Sequence, residues 1–281
     1  VAMLAVPSTR WLTIMLAATD IGAIWTGYHP RYRMGEFRHV TELAEPKVVI
    51  APRHLHERDY AEELTTLQAE FPCITHLVMA DAPLPGATGE TAFLAAGEAI
   101  DDAALDRARA AVTPPDTAVL IFTSGTTGRP KAAMVKHLAL LAGGAVEIAH
   151  WPMERPRILH MMPVNHIAGV GMTGVFGVYV GGTLVFQDRF EAGAMLDLIE
   201  GEAVDHVLGS PIQFHMMAHH PSLAGRDLSR VQYWTWGGAP MAVDLVTRMN
   251  ALPGRLRTSF GMTELGLYVT FTDADAGAKD E

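Results

Sequence analysis

The sequence predicts an α/β fold in which layered, largely parallel sheets are flanked by helices. Three observations predict it. Short runs rich in Val, Ile, Leu and Met recur along the 281 residues. Their apolarity is continuous rather than alternating, as expected of strands covered on both faces. Segments with helical spacing lie between them, and that alternation favours parallel strands joined by helical crossovers.

Taken in order, the apolar runs are KVVIAP (47–52), THLVMAD (75–81), AVLIFTS (118–124), ILHMMPV (158–164), GTLVFQ (182–187), VDHVLGS (204–210) and VQYWTW (231–236). The first helix expected among them, 57–71, is charged on one side and ends before Pro72. A second, 190–204, sets Met195, Leu198 and Ile199 on one face and Glu191, Asp197 and Glu200 elsewhere. A third, 211–219, opens on a proline, which suits a helix start. A fourth, 242–251, stops before Pro253-Gly254. The stretch APLPGATGETA (82–92) is expected to be a surface loop, and TPPD (113–116) a short connector.

Composition narrows the class. With 49% hydrophobic and 19% charged residues the chain can fill a core, which excludes a disordered tail. The formal net charge is -10 and no Lys/Arg-rich run occurs, so the electrostatic footprint of a nucleic-acid binder is missing. An acidic surface gives no help with anions, so a phosphate site must be built from backbone amides and a few placed cations. The single cysteine, Cys73, can make neither an internal disulfide nor a zinc cluster, and is expected to be a buried small hydrophobe. Residues 1–25 lack the basic start and clean apolar run of a signal peptide, and the expected location is cytoplasmic. The uncharged stretch 167–186 is long enough to span a bilayer. Its six glycines, with Gly181-Gly182 reading as a turn into TLVFQ, predict a buried helix and strand instead of a membrane segment.

The chemistry concentrates in Thr123-Ser124-Gly125-Thr126-Thr127-Gly128-Arg129-Pro130-Lys131, directly after an apolar strand. Glycines let backbone amides turn toward one point and approach an anion closely. Hydroxyls donate to phosphate oxygens, and Lys131 offers a compact charge for a polyphosphate. The run is not the G-x-x-x-x-G-K-[ST] loop, because Arg129 and Pro130 separate Lys131 from Gly128. The small and β-branched residues 132–135 predict a second strand after it, not a helix.

The segment FTSGTTGRPKA resembles the [YF]-T-S-G-T-T-G-x-P-K-G signature of the adenylate-forming (AMP-binding) superfamily, which includes acyl-CoA synthetases, luciferases and peptide-synthetase adenylation domains. Ala132 stands where glycine is usual, and His137 matches a histidine six positions after the lysine. MPVNHIAG (162–169) resembles the family's P-x-x-H-x-x-G block, WGGAPM (236–241) its G-G-A-P-L block, and SFGMTE (259–264) its Y-G-M-T-E block with Phe260 replacing tyrosine. Weaker similarity covers 17–30, with His29 in place of asparagine, and 42–50.

The resemblance, closest to acyl-CoA synthetases, implies the large N-terminal domain of that fold over 1–281, cut at both ends. A later G-D aspartate and a small lysine-bearing C-terminal domain are not in the sequence. It implies ATP, Mg²⁺ and CoA as ligands and a carboxylic acid as substrate. Phosphates are expected at Thr123, Ser124, Gly125, Thr126, Thr127, Gly128 and Lys131. Adenine is expected at Gly238, Ala239, Pro240, Ser259, Phe260 and Gly261, and the acid near His166, Gly169 and Gly237. Lys131, Thr263 and Glu264 are the expected catalytic residues, with Glu264 holding the metal. The implied activity of the parent enzyme is formation of an acyl-adenylate followed by transfer to CoA, with the fragment alone inactive. A peptide-synthetase adenylation domain and a non-catalytic nucleotide-binding module are the alternatives.

Overall fold

The computed structural model describes residues 1–123 and 128–272. They divide into two compact units, Val1–Leu138 with Val164–His166, and Ala139–Pro163 with the chain from Ile167 onward.

The first unit runs β1 (Ala2–Leu4), α1 (Thr9–Asp20), β2 (Trp25–Tyr28), α2 (Met34–Ala44), β3 (Val48–Ala51), a small hairpin of β4 (His54–Leu55) and β5 (Arg58–Asp59), α3 (Ala61–Glu70), β6 (His76–Met79), β7 (Thr88–Gly89), α4 (Glu90–Gly97), α5 (Asp102–Ala111), β8 (Thr117–Thr123) and β9 (Lys131–Lys136). Its seven-stranded sheet has the order β7-β6-β3-β1-β2-β8-β9, parallel throughout except for the antiparallel last pair. Every residue of β1 and β2 is buried, as the unbroken apolarity of such strands requires. An aromatic cluster fills the core. Phe37 meets Tyr28 and Tyr60 edge-to-face, and the buried Tyr28 hydroxyl is satisfied by Thr41 Oγ1 at 2.7 Å.

Two expectations shift here. The helix begins at Ala61 rather than near 57, because Arg58–Asp59 pairs back onto His54–Leu55 and Asp59 Oδ1 then accepts from the Ala61 amide at 2.8 Å. The stretch 82–92 holds β7 and the start of α4 in addition to loop. β7 adds to the sheet edge through backbone pairing with Val78 and Met79, which needs no apolar side chains.

Helix α6 (His137–His150) leads from β9 into the second unit. That unit continues with β10 (Arg157–His160), a π-helical stretch Ala168–Val175 running into α7 (Phe176–Tyr179), β11 (Thr183–Phe186), α8 (Ala192–Gly201), β12 (His206–Gly209), α9 (Pro211–Ala218), β13 (Tyr233–Trp236), α10 (Val243–Asn250), β14 (Arg255–Phe260) and β15 (Thr270–Phe271). The sheet order is β11-β10-β12-β13-β14-β15, and only the β14–β15 pair is antiparallel. Its main core joins Leu196, Ile199, Val207, Phe214 and Trp234, with Phe214 set edge-to-face on Trp234. The apolar stretch 167–186 is a buried helical segment, a turn at Gly181 (φ 62°) and a strand. Its glycines permit close packing. A Cβ at Gly182 would lie 2.5 Å from the Pro156 carbonyl oxygen. Among the described residues no helix is long and apolar enough to cross a membrane.

Two histidines sit inside this sheet. His206 is fully buried on β12 with Nε2 2.8 Å from Thr235 Oγ1 on β13. His160 on β10 donates from Nε2 to the Gly169 carbonyl at 2.9 Å. Burial lowers each imidazole to about 4. For a base held neutral in the folded state, the unfolded chain takes up the proton first as pH falls. Stability from each is therefore complete above about pH 6.5 and lost between there and pH 4, by about 3 kcal/mol per histidine. Thermal melts from pH 7 to pH 4 should show this descent against the opposite contribution of the buried Glu147, and His206→Asn should make it shallower. A variant profile parallel to the parent's would contradict the assignment.

Candidate functional site

In the first unit the site residues belong to the β8–β9 hairpin. Thr123 pairs directly with Lys131 at the end of the ladder. Ser124, Gly125, Thr126 and Thr127 lie outside the described residues. Gly128 has φ 83°, a conformation that suits glycine, and Arg129 and Lys131 are exposed. The return of the loop is anchored from α2, where His39 Nε2 donates to the Pro130 carbonyl at 2.7 Å. As expected, the segment after Lys131 is a strand. This explains why the motif departs from loops that feed a helix.

In the second unit the site residues follow adjacent parallel strands. The register aligns Gly209, Trp236 and Thr258, which places the carboxyl ends of β12, β13 and β14 side by side. Ligands of open α/β sheets bind outside such carboxyl ends. After β13 comes Gly237, where a Cβ would stand 3.2 Å from the Ser259 carbonyl oxygen. Gly238 follows with φ 81° and open space around it, then Ala239 and Pro240, both exposed. At the end of β14, Ser259 is buried and the Phe260 ring is 64% exposed. Gly261 sits hard against the Leu267 carbonyl, 1.7 Å from where its Cβ would be. Thr263–Leu265 then forms a 3₁₀ turn in which Thr263 is buried and Glu264 exposed. An exposed flat ring one strand from a glycine with open space offers a stacking face for a planar group.

Met162, Pro163 and Gly169 also belong to the second unit. Gly169 is buried, and a Cβ there would stand 2.2 Å from the Pro163 carbonyl oxygen. Close packing of the loop on the π-helical stretch thus accounts for the proline–glycine spacing. His166, in the same loop, belongs to the first unit and keeps solvent access, while desolvation by surrounding protein lowers its pKa.

Glu147 and Tyr268 belong to none of the sequence motifs. Glu147 is fully buried on α6 and accepts from the Tyr268 hydroxyl, four residues past Glu264. The available signal was that Gly143, Gly144 and Glu147 share one face of an otherwise apolar helix.

Among the described residues no group of three or more His, Cys, Asp or Glu side chains gathers as a metal site. On the described loops of the second sheet's carboxyl edge, Glu264 offers a carboxylate, a hard oxygen donor. That set fits Mg²⁺, which keeps most of its shell as water and substrate phosphate.

The family model described as AMP-binding enzyme matches residues 1–281. Feruloyl-CoA synthase of Amycolatopsis sp is 29% identical over 276 residues, covering 97% of this chain and 51% of the relative. Among solved structures, the luciferase-like enzyme from the mealworm Zophobas morio superposes with a TM-score of 0.79 at 21% identity, covering 98% of this chain and 62% of that one. The anthranilate CoA ligase AuaEII, in complex with anthranoyl-AMP, gives 0.83 at 16% identity, covering 98% and 52%. At those identities the solved structures establish the fold. The chain spans about half the length of the curated relatives it matches.

Proposed function

The chain belongs to the AMP-binding enzyme family, and from that premise we propose that it carries the nucleotide- and acid-binding part of an ATP-dependent acid–CoA ligase. The carboxyl edge of the second sheet carries this reading. There the exposed Phe260, the unobstructed Gly238 and the Thr263–Glu264 turn lie on the loops of adjacent strands. Each is suited to a different part of a nucleotide.

In the proposed reaction a carboxylate oxygen of the acid attacks the α-phosphorus of ATP. The bond to the bridging oxygen breaks, and pyrophosphate leaves with its electron pair. A CoA thiolate then attacks the acyl carbon of the adenylate and AMP departs. Such transfers depend on positioning and on charge stabilisation. Phe260 stacks on adenine beside Gly238, Ala239, Pro240, Ser259 and Gly261. The Thr263 hydroxyl donates to the α-phosphate. Lys131, with the hydroxyls and amides of 123–128, receives the charge that develops on the leaving pyrophosphate. Mg²⁺ bound by Glu264 would screen phosphate charge. His166, Gly169 and Gly237 adjoin the acid.

An aromatic carboxylic acid is the proposed substrate class. The names feruloyl-CoA synthase and anthranoyl-AMP, borne by a relative and by a structural neighbour's ligand, concern aryl acids. The small and apolar residues at Gly209, Gly237 and Ala239 offer no buried carboxylate for an ammonium group. ATP–pyrophosphate exchange in the complete protein, with panels of aryl, aliphatic and amino acids, tests this. Aryl acids should support Mg²⁺-dependent exchange, and Glu264→Gln should lower it about tenfold, the effect of ~1.4 kcal/mol. ATP binding without exchange for any acid would reduce the chain to a nucleotide-binding module.

A further inference from the structure

The chain leaving β14 closes into a loop. Val269 N donates to the Phe260 carbonyl at 2.8 Å, and β15 pairs back on β14 through Ser259–Phe271 and Phe260–Thr270. Residues 261–268 therefore project from the sheet with both ends fixed. Their far side is held by something else. Leu267 is 3% exposed and fills a slot lined by glycines. A Cβ at Gly143 would be 2.8 Å from Leu267 Cδ1, and one at Gly171 would be 2.5 Å from its Cδ2. The next residue, Tyr268, donates its hydroxyl to Glu147 Oε2, one helical turn beyond Gly143.

A glutamate is an expensive choice at this place. Glu147 is 0% exposed, and its Oε1 has no partner among the described residues. The Tyr268 ring that covers it packs on Trp151 and Phe271. Burial raises the Glu147 carboxyl well above the usual carboxylate range and favours its neutral form. A leucine or methionine would fill the helix face without that desolvation cost. Buried polar groups that add little stability can still fix one geometry among several. Here the group that is fixed belongs to the segment bearing Thr263 and Glu264.

We propose that Glu147 and Tyr268 are positioning residues that hold the Thr263–Glu264 turn in its nucleotide-binding shape. The proposal rests on the reading of that turn given above. The hydrogen bond sets the azimuth of the loop, and Leu267 in its glycine slot sets the depth. Neither residue touches substrate. Both act through the turn.

The test measures KM for Mg·ATP, the Mg²⁺ concentration at half-maximal pyrophosphate exchange, and the melting temperature, all in the complete protein. Tyr268→Phe keeps the ring and deletes the hydrogen bond, and should raise KM and the Mg²⁺ midpoint about tenfold. Glu147→Gln, whose amide oxygen still accepts from Tyr268, should stay within about twofold. Glu147→Leu should behave like Tyr268→Phe even where it melts as high as the parent, which a purely structural role would not produce. If Glu147→Leu does not fold, Tyr268→Phe decides. Parental KM and Mg²⁺ dependence in the loss variants, with Glu264→Gln impaired, overturn the positioning role. An unimpaired Glu264→Gln instead overturns the reading of the turn, and the positioning role with it.

Discussion

Alanine at position 261 is expected to unfold the second unit. The added Cβ would lie 1.7 Å from the Leu267 carbonyl oxygen, 2.8 Å from its carbon and 3.1 Å from Tyr268 Cα. All three are backbone atoms, so no rotamer change relieves the clash. The backbone cannot move freely either, because Leu267 is wedged against Gly143 and Gly171 and β15 holds the return. The loss should exceed about 4 kcal/mol, the range reserved for a forced rearrangement of a packed segment. Gly35 in α2 is the control. A Cβ there meets nothing within 4 Å, and Gly35→Ala should stabilise by about 0.5–1 kcal/mol through helix propensity. Urea melts of the two variants distinguish a specific clash from general intolerance to alanine. A Gly261→Ala chain with the parental midpoint would show that the loop packs differently.

Lys131→Ala should lower kcat/KM for pyrophosphate exchange by about 10²- to 10³-fold, the usual effect of removing one placed group from a developing anion. Lys131 is exposed at the mouth of the hairpin, opposite Thr123. The chain carries net charge -10, so no diffuse positive field substitutes for the lost cation. Lys131→Arg should recover part of the loss, since it restores charge but replaces a compact ammonium with a planar fork. Unchanged turnover and ATP affinity in Lys131→Ala would remove the hairpin from the mechanism.

Much of this architecture is readable in the residues. β3, β6, β11, β12 and β13 each fall within an apolar run, β8 starts one residue before its run, and α8, α9 and α10 lie within three residues of the expected limits. Those segments are consistent at every level, since periodicity, caps and burial agree. α9 illustrates this with Pro211 at its start and a capping box between Ser210 and Gln213. β1 escapes notice because it is only three residues long. β14 escapes because Arg255 and Arg257 interrupt RLRTSF, yet Arg257 is 5% exposed in the folded sheet. α6 is apolar nearly all round, so no amphipathic period marks it as a helix, whereas the equally apolar stretch 167–186 is readable as a buried helix and strand from its length and its glycine turn.

The residues proposed for the site stand out in the sequence for a different reason. A phosphate loop needs glycine, hydroxyl and lysine in a short span, and that demand is written locally. Gly261 and Gly169 were readable as motif positions, but the cause of each is a backbone contact across several residues. Glu147 is marked only weakly, by the face it shares with Gly143 and Gly144. A glutamate on a helix reads as a solvated residue, and only the tertiary placement of Tyr268 reveals it as a buried acceptor.

β9 is the last strand of its sheet, so one row of its amides and carbonyls has no partner within that sheet. Such a row is a template on which a strand from another molecule can grow, and natural edges are commonly guarded by charge. Lys131 and Lys136 stand exposed at the two ends of this one, with the apolar Met134 exposed between them. Charge at both ends of this edge, one of them at the residue to which the phosphate role is proposed, is of the kind that discourages such growth.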